Sequence, residues 1–86
     1  MEFEFDREKS ESNKRKHGID FIQAQTLWYD SNRVILEAKT SDEKRFILIA
    51  KRKTKFWTAI YTIRGAKIRI ISVRRSRKEE VAIYES

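Results

Sequence analysis

Apolar and polar positions alternate along most of this chain, and changes in the period mark changes of local structure. From Glu2 to Phe5, Phe3 and Phe5 alternate with polar residues, which predicts a short strand. Residues 6–17, DREKSESNKRKH, then contain no apolar side chain. Asp6 is suited to cap a helix over about 7–16, and Gly18 to stop it where only glycine adopts left-handed backbone cheaply. Phe21, Ala24, Leu27 and Trp28 recur at helical spacing, so a second helix with one apolar face opens at Ile19-Asp20-Phe21-Ile22-Gln23. Asp20 and Gln23 have capping-box spacing, with Asp replacing the usual Ser or Thr. Asp30-Ser31-Asn32 reads as a turn.

Beyond that turn the period shortens. Strands are predicted at 33–39, 44–51, 56–63 and 67–74, separated by a turn at 40–43, a basic loop at 52–55 and a turn at Gly65-Ala66. Sequential strands with short polar turns make an antiparallel meander. Ser76 and Glu79 have capping-box spacing and start a last helix running to about Glu85. The order β–α–α–β–β–β–β–α predicts one α+β domain over 1–86. It comprises a small antiparallel meander, two N-terminal helices and one C-terminal helix. With glycine first in a two-residue type II′ turn, Thr62 faces Arg69 and Tyr61 faces Ile70. Trp57, Ala59, Tyr61 and Ile63 then share a core-like face with Ile68, Ile70, Ser72 and Arg74. The opposite face carries Thr58, Ile60, Thr62 and Arg64 beside Lys67, Arg69, Ile71 and Val73.

Charge changes this picture most. The chain of 86 residues has 20 Lys+Arg against 13 Asp+Glu, a net charge of +7. Residues 64–78 hold Arg64, Lys67, Arg69, Arg74, Arg75, Arg77 and Lys78 and no acidic residue, so the excess sits in one segment. A pI near 9.9 with charge concentrated in this way points to a polyanionic partner rather than a uniform solubility surface. Ten aromatic residues can build one core in a chain that buries only about 60–65% of its unfolded surface. Cysteine is absent, which excludes a disulfide scaffold and Cys-based zinc sites and fits a cytoplasmic location. No metal or cofactor is expected. The acidic start MEFEFD is unlike a signal peptide, and the longest apolar run, FILIA at 46–50, is too short to span a bilayer.

Lys9, Asn13 and His17 stand at i, i+4 and i+8 with Lys16 alongside, so the polar first helix carries an ammonium, an amide and the only imidazole on one stripe. Such a stripe can orient a phosphate and supply an acid or base; a solvated, Lys-rich helix is the bland alternative. Glu80 and Tyr84 share one face of the last helix. They either pack that helix, or Glu80 orients an arginine and Tyr84 bonds substrate. Trp57 and Tyr61 read as core rather than as base-stacking platforms.

Two blocks of residues are specific. The first is Asp6, Lys9, Asn13, Lys16-His17-Gly18 and Ile19-Asp20-Phe21. The second is Tyr61-Thr62, Arg64-Gly65, Ile68-Arg69-Ile70-Ile71-Ser72, Arg74, and Glu80 with Tyr84. Together they resemble the BrnT toxins of bacterial type II toxin–antitoxin systems. Family members usually place small apolar residues in the first helix, where this chain has Ser and Glu. The resemblance implies a RelE-like fold and ribonuclease activity that arrests translation. It also implies a BrnA-type ribbon–helix–helix antitoxin that forms a hetero-oligomer and carries the operator-DNA contact.

RNA brings its own nucleophile, the 2′-hydroxyl. Cleavage then needs proton-transfer groups and fixed positive charge, and no metal. Arg64, Arg69 and Arg74 are the candidates to hold the reacting phosphate, with Lys9 and His17 as proton-transfer groups. Asn13, Lys16, Arg75, Arg77, Lys78 and Tyr84 are candidates for substrate binding, Arg77 and Lys78 through long-range attraction. A non-catalytic nucleic-acid-binding module remains the alternative, and an inert domain that meets only an acidic protein is a third reading.

Overall fold

The computed structural model describes residues 1–39 and 42–86. The turn expected at 40–43 lies partly outside the described residues. Strand β1 (Glu2–Glu4) is followed by helix α1 (Arg7–His17) and a 3₁₀ segment (Gln23–Tyr29). Strands β2 (Val34–Ala38), β3 (Arg45–Arg52), β4 (Lys55–Arg64) and β5 (Lys67–Arg75) and helix α2 (Lys78–Glu85) complete the chain. The sheet order is β1-β5-β4-β3-β2. Strands β2 to β5 form the antiparallel meander. β1, however, adds to the free edge of β5 in parallel, with Phe3 opposite Ile68, so the five-stranded sheet is mixed. Alternation of Phe3 and Phe5 marks a strand but carries no information about which edge it joins.

The second N-terminal helix is not an α-helix. Asp20 and Gln23 do make both capping bonds, Gln23 N–H to Oδ1 at 2.7 Å and Asp20 N–H to Oε1 at 3.0 Å. The chain then winds as 3₁₀. Phe21, Ala24 and Leu27 are spaced by three, which a three-residue turn stacks in one straight line. All three, with Trp28, are buried against the sheet. Over two turns that spacing serves either helix, so the periodicity could not choose between them. These residues meet Leu48, Ala50, Trp57, Ala59, Tyr61, Ile70 and Val73, and Phe3, Phe5, Phe46 and Ile68 close the margins.

The β4–β5 hairpin turns at Gly65, whose φ of 60° suits the first central position of a type II′ turn. Tyr61 faces Ile70 and Thr62 faces Arg69. Further along, a β-bulge intervenes: Ile60 pairs with Ser72, so Ile71 is the extra residue. The bulge reverses the faces expected for the end of β5. Val73 and Arg75 join the core face beside Ala59 and Trp57, while Ser72 and Arg74 move to the second face beside Ile60 and Thr58. Val73 is fully buried as a result. α2 lies over one end of that second face, with Tyr84 edge-on to Phe56 at 5.2 Å. Its start also differs from expectation. Arg77 is the N-cap, Glu80 accepts from the Arg77 N–H at 2.7 Å, and Ser76 instead meets the Thr58 hydroxyl at 2.8 Å.

α1 begins and ends as its sequence dictates: Asp6 accepts from the Lys9 N–H at 3.1 Å, and Gly18 adopts φ 83°. Without an apolar side chain it docks through two polar ones, Ser10 and Asn13, which are 5% and 6% exposed. Ser10 Oγ accepts from the Phe21 N–H at 2.9 Å. Asn13 Nδ2 donates to the carbonyls of Ile19 and Val73, each at 2.8 Å, and Oδ1 accepts from the Val73 N–H at 3.2 Å. The pairing of β1 ends at Arg69, so the Asn13 amide occupies the edge of β5 that β1 leaves open.

Asn13→Ala should therefore strand three buried backbone groups and cost about 2–4 kcal/mol of stability. Asn13→Asp keeps the acceptor but loses both donors, and should be no better. Urea denaturation of both variants checks this; a loss below about 1 kcal/mol would show that α1 is held by something else.

Candidate functional site

Where α1 meets the second face of the sheet there is a cleft of about 200 Å³ lined by Lys9, Ser12, Asn13, Lys16, His17, Ile71 and Ser72. The stripe that the sequence predicts is thus brought together, and its wall is the β5 bulge. Lys9, Lys16 and His17 are exposed and line the cleft, whereas the Asn13 amide is committed to backbone and shapes the wall. A larger groove of about 760 Å³ lies on the other side of α1, between Arg7, Glu11, Lys14 and Arg15 and the apolar Phe5 and Ile22. It contains none of the predicted site residues. The smaller cleft is the better candidate because Lys9 and His17, the residues expected to transfer protons, both line it.

Two of the predicted arginines flank that wall on the same face. Arg69 precedes the bulge and pairs with Glu4 at 3.1 Å; Arg74 follows it and pairs with Glu80. The second pair is the stronger. Both Arg74 terminal nitrogens donate to Glu80 at 2.8 Å, one to each carboxylate oxygen. Glu80 also accepts from the Thr58 hydroxyl at 3.0 Å and from the Arg77 N–H. The Arg74 bonds, helped by Arg77 and Thr58, outweigh partial burial and hold the Glu80 carboxyl down at about 2. The same bonds push the Arg74 guanidinium above its ordinary value against the opposing effect of burial.

The remaining predicted residues lie elsewhere. Arg64 sits at the exposed β4–β5 turn, 3.4 Å from Glu43. Tyr84 does not reach the cleft; its hydroxyl donates to Asp30 at 2.7 Å. Partial burial opposes ionisation of Asp30, but bonds from the Lys51 and Asn32 amides and from Tyr84 hold its carboxyl below the usual range. Arg75 lies on the core face, its guanidinium 5.6 Å from the Trp57 ring centre. Arg77 and Lys78 start α2, away from the cleft. Trp57 and Tyr61 are buried in the core. Ser72 and Glu4 belong to the site's surroundings but are not among the sequence candidates. Ser72 stands in the second sequence block, but a regular hairpin register places it on the core face, and only the bulge turns it outward; Glu4 gave a weak signal, as the polar member of an alternating Phe3-Glu4-Phe5 triplet.

A small α+β domain with a cation-lined cleft beside an arginine-bearing strand belongs to a broad class of polyanion-handling proteins. The family comparison narrows this. A model described as "Ribonuclease toxin, BrnT, of type II toxin-antitoxin system" matches residues 5–80. The chain belongs to this BrnT family of ribonuclease toxins. Membership in a type II toxin–antitoxin family implies an antitoxin partner. No protein of curated function matches the chain. Among the described residues no helix is long and apolar enough to cross a membrane.

The Glu80 pair makes a pH prediction. Its folded-state value lies below the ordinary carboxyl value of 4.5, so the stabilisation is complete above pH 4.5. It is lost as the pH falls from 4.5 towards 2, with a size on the order of 1–3 kcal/mol. Asp30 acts in the same direction. Urea midpoints measured between pH 7 and pH 3 should fall more steeply for the wild type than for Glu80→Gln. Parallel curves would remove Glu80 from the account of acid stability.

Proposed function

We propose that this chain is a metal-independent endoribonuclease toxin that cuts RNA in the cleft between α1 and β5. The observation that carries the reading is the convergence of Lys9, Lys16 and His17 beside Arg69 on a domain of a ribonuclease toxin family. The 2′-hydroxyl of the substrate attacks the adjacent phosphorus, its proton passes to a base, and the 5′-oxygen leaves with a proton from an acid. His17 and Lys9 are the groups available for these two transfers. Lys16 and Arg69 supply positive charge where the phosphorane-like transition state gains negative charge. Arg74 keeps a fixed orientation through Glu80, and Arg64 meets the strand nearer the β4–β5 turn.

The partner we infer is a BrnA-type antitoxin whose ribbon–helix–helix part contacts operator DNA. The setting we infer is the cytoplasm, with a RelE-like fold shared with other translation-arresting toxins. A permanent inhibitor covering parts of residues 64–78 should bury about 2,000 Å² or more. Its acidic groups would meet the cations, and its apolar groups would meet Leu36, Ile47 and Ile60 on the second face, in register across β2, β3 and β4.

Cleavage should persist in EDTA and leave a 2′,3′-cyclic phosphate, and RNA carrying a 2′-deoxy residue at the cut should resist. Lys9→Ala and His17→Ala should each lower the single-turnover rate at saturating RNA by ~10²–10⁴. Arg69→Ala should lower it by ~10²–10³. Equal cutting of the deoxy substrate would overturn the mechanism. Tight RNA binding without any cleavage would instead favour the non-catalytic binding module.

A further inference from the structure

Six cations gather at the end of the sheet remote from the β4–β5 turn. Arg52, Lys53 and Lys55 form the β3–β4 turn, in which Arg52 pairs with Lys55 across a two-residue loop. Arg75, Arg77 and Lys78 form the β5–α2 junction. Trp57 pairs with Arg75, and the Ser76 N–H donates to the Phe56 carbonyl at 3.0 Å, which brings Arg77 alongside Lys55. Two stretches far apart in sequence thus become one basic surface.

The ion pairs separate this surface from the other cations. Among the described residues, Arg64, Arg69 and Arg74 each face a carboxylate, and none of these six does. Of the carboxylates nearby, Glu80 is spent on Arg74, and Asp30 on the Lys51 and Asn32 amides and Tyr84. Glu79, next to Lys78, is exposed and makes no ion pair among the described residues. Arg75 rests on Trp57, and Arg52 Nε donates to the Thr26 hydroxyl at 3.1 Å; these contacts fix the side chains without neutralising them.

Lys53 adds an independent observation. Its φ is 59°, the only positive value at a non-glycine among the described residues. It occupies the first central position of the turn, which favours glycine, and a side chain there is strained. At Gly65, in the equivalent turn between β4 and β5, this chain does use glycine. A lysine kept where glycine fits better points to use of its charge.

We propose that the β3–β4 turn and the β5–α2 junction form a second surface that binds the phosphate backbone of single-stranded RNA. It holds the strand outside the cleft. Arg75 lies three residues beyond Ser72 on β5 but on the opposite face, so a strand that engages both places passes around the end of the sheet, where β5 stops. The choice of RNA rests on the ribonuclease reading, but binding here needs no cleavage.

The test uses a 2′-O-methyl RNA oligonucleotide, which lacks the nucleophile, with affinity measured across salt concentrations. Removing one cation that neutralises a phosphate of a single strand reduces the slope of log K against log salt by ~0.7. Lys53→Ala/Lys55→Ala should therefore lower the slope by ~1.4, and Lys53→Arg/Lys55→Arg should retain it. Lys39→Ala/Lys44→Ala, an equal loss of charge at the opposite end of the sheet, should change it far less. Lys53→Gly should weaken binding yet raise the Tm by roughly 4 °C, because the strain is relieved. An unchanged slope in Lys53→Ala/Lys55→Ala, an equal fall in Lys39→Ala/Lys44→Ala, or no binding by the wild type overturns the proposal. Wild-type cleavage of ordinary RNA is scored separately. Its absence with binding intact overturns the ribonuclease reading alone, and its presence with an unchanged slope overturns this surface alone.

Discussion

The side-chain amide of Asn13 joins α1, a helix without an apolar side chain, to two other parts of the chain. It bridges α1 to the Ile19 carbonyl, where the chain turns into the 3₁₀ segment, and to both backbone groups of Val73 on β5. An unpaired strand edge beside a core is costly, because buried N–H and C=O groups need partners. β1 satisfies the first half of the β5 edge and Asn13 takes over where β1 stops. Lys9, Lys16 and His17 owe their position over the bulge to this bond set, since the helix that bears them has no hydrophobic face with which to dock. One turn earlier on the same side of the helix, Ser10 accepts from the Phe21 N–H. At Ser10 a hydrogen bond thus takes the role that apolar packing has in an amphipathic helix.

Local chemistry was legible wherever a residue acts on its near neighbours. Asp6 and Gly18 bound α1, Asp20 and Gln23 cap each other, and Gly65 sets the hairpin register, because each of these interactions spans only a few residues. The stripe of Lys9, Asn13, Lys16 and His17 was legible for the same reason, as helical spacing alone fixes a shared face. The extra residue at Ile71 was not. A bulge is decided by the competition between two faces for Val73 and Arg74, and both alternations look equally regular in the sequence. Its consequence is large, since it sends Val73 into the core and Arg74 to Glu80. The parallel edge made by β1 was illegible too, because strand pairing between residues 2–4 and 67–69 has no local signature. The shift of the α2 cap from Ser76 to Arg77 has a visible cause: Glu80 is drawn to Arg74, and Ser76 is drawn to Thr58.

Charge is the property the linear order misrepresents most. The run from Arg64 to Lys78 looks like one basic arm, yet its members fall on both faces and both ends of the sheet. Arg64 and Lys67 cap the β4–β5 turn, Arg69 and Arg74 border the cleft, and Arg75 and Arg77 join a turn more than twenty residues earlier in the chain. A formal net charge counts all of these alike. Counterions do not, because a guanidinium already facing a carboxylate within about 4 Å attracts less anion than a bare ammonium.

The two arginines beside the cleft differ in how readily they can turn to a phosphate. Arg74 shares two bonds of 2.8 Å with Glu80, and that carboxylate accepts two more from Thr58 and Arg77. Drawing Arg74 away would leave Glu80 as a carboxylate only 15% exposed, short of its strongest partner, which is expensive. Arg74 therefore serves mainly to tie α2 to β5 and to hold the bulged strand in shape. Arg69 meets Glu4 through a single contact of 3.1 Å, with both side chains about one-third exposed. Water can resolvate Glu4 at little cost once Arg69 leaves, since a partly exposed pair of this kind contributes only about 0–1 kcal/mol. A phosphate accepts a bidentate pair of guanidinium bonds, which are stronger than the one Arg69 gives up. Of the two guanidinia, Arg69 is the one whose release from its carboxylate costs the fold less.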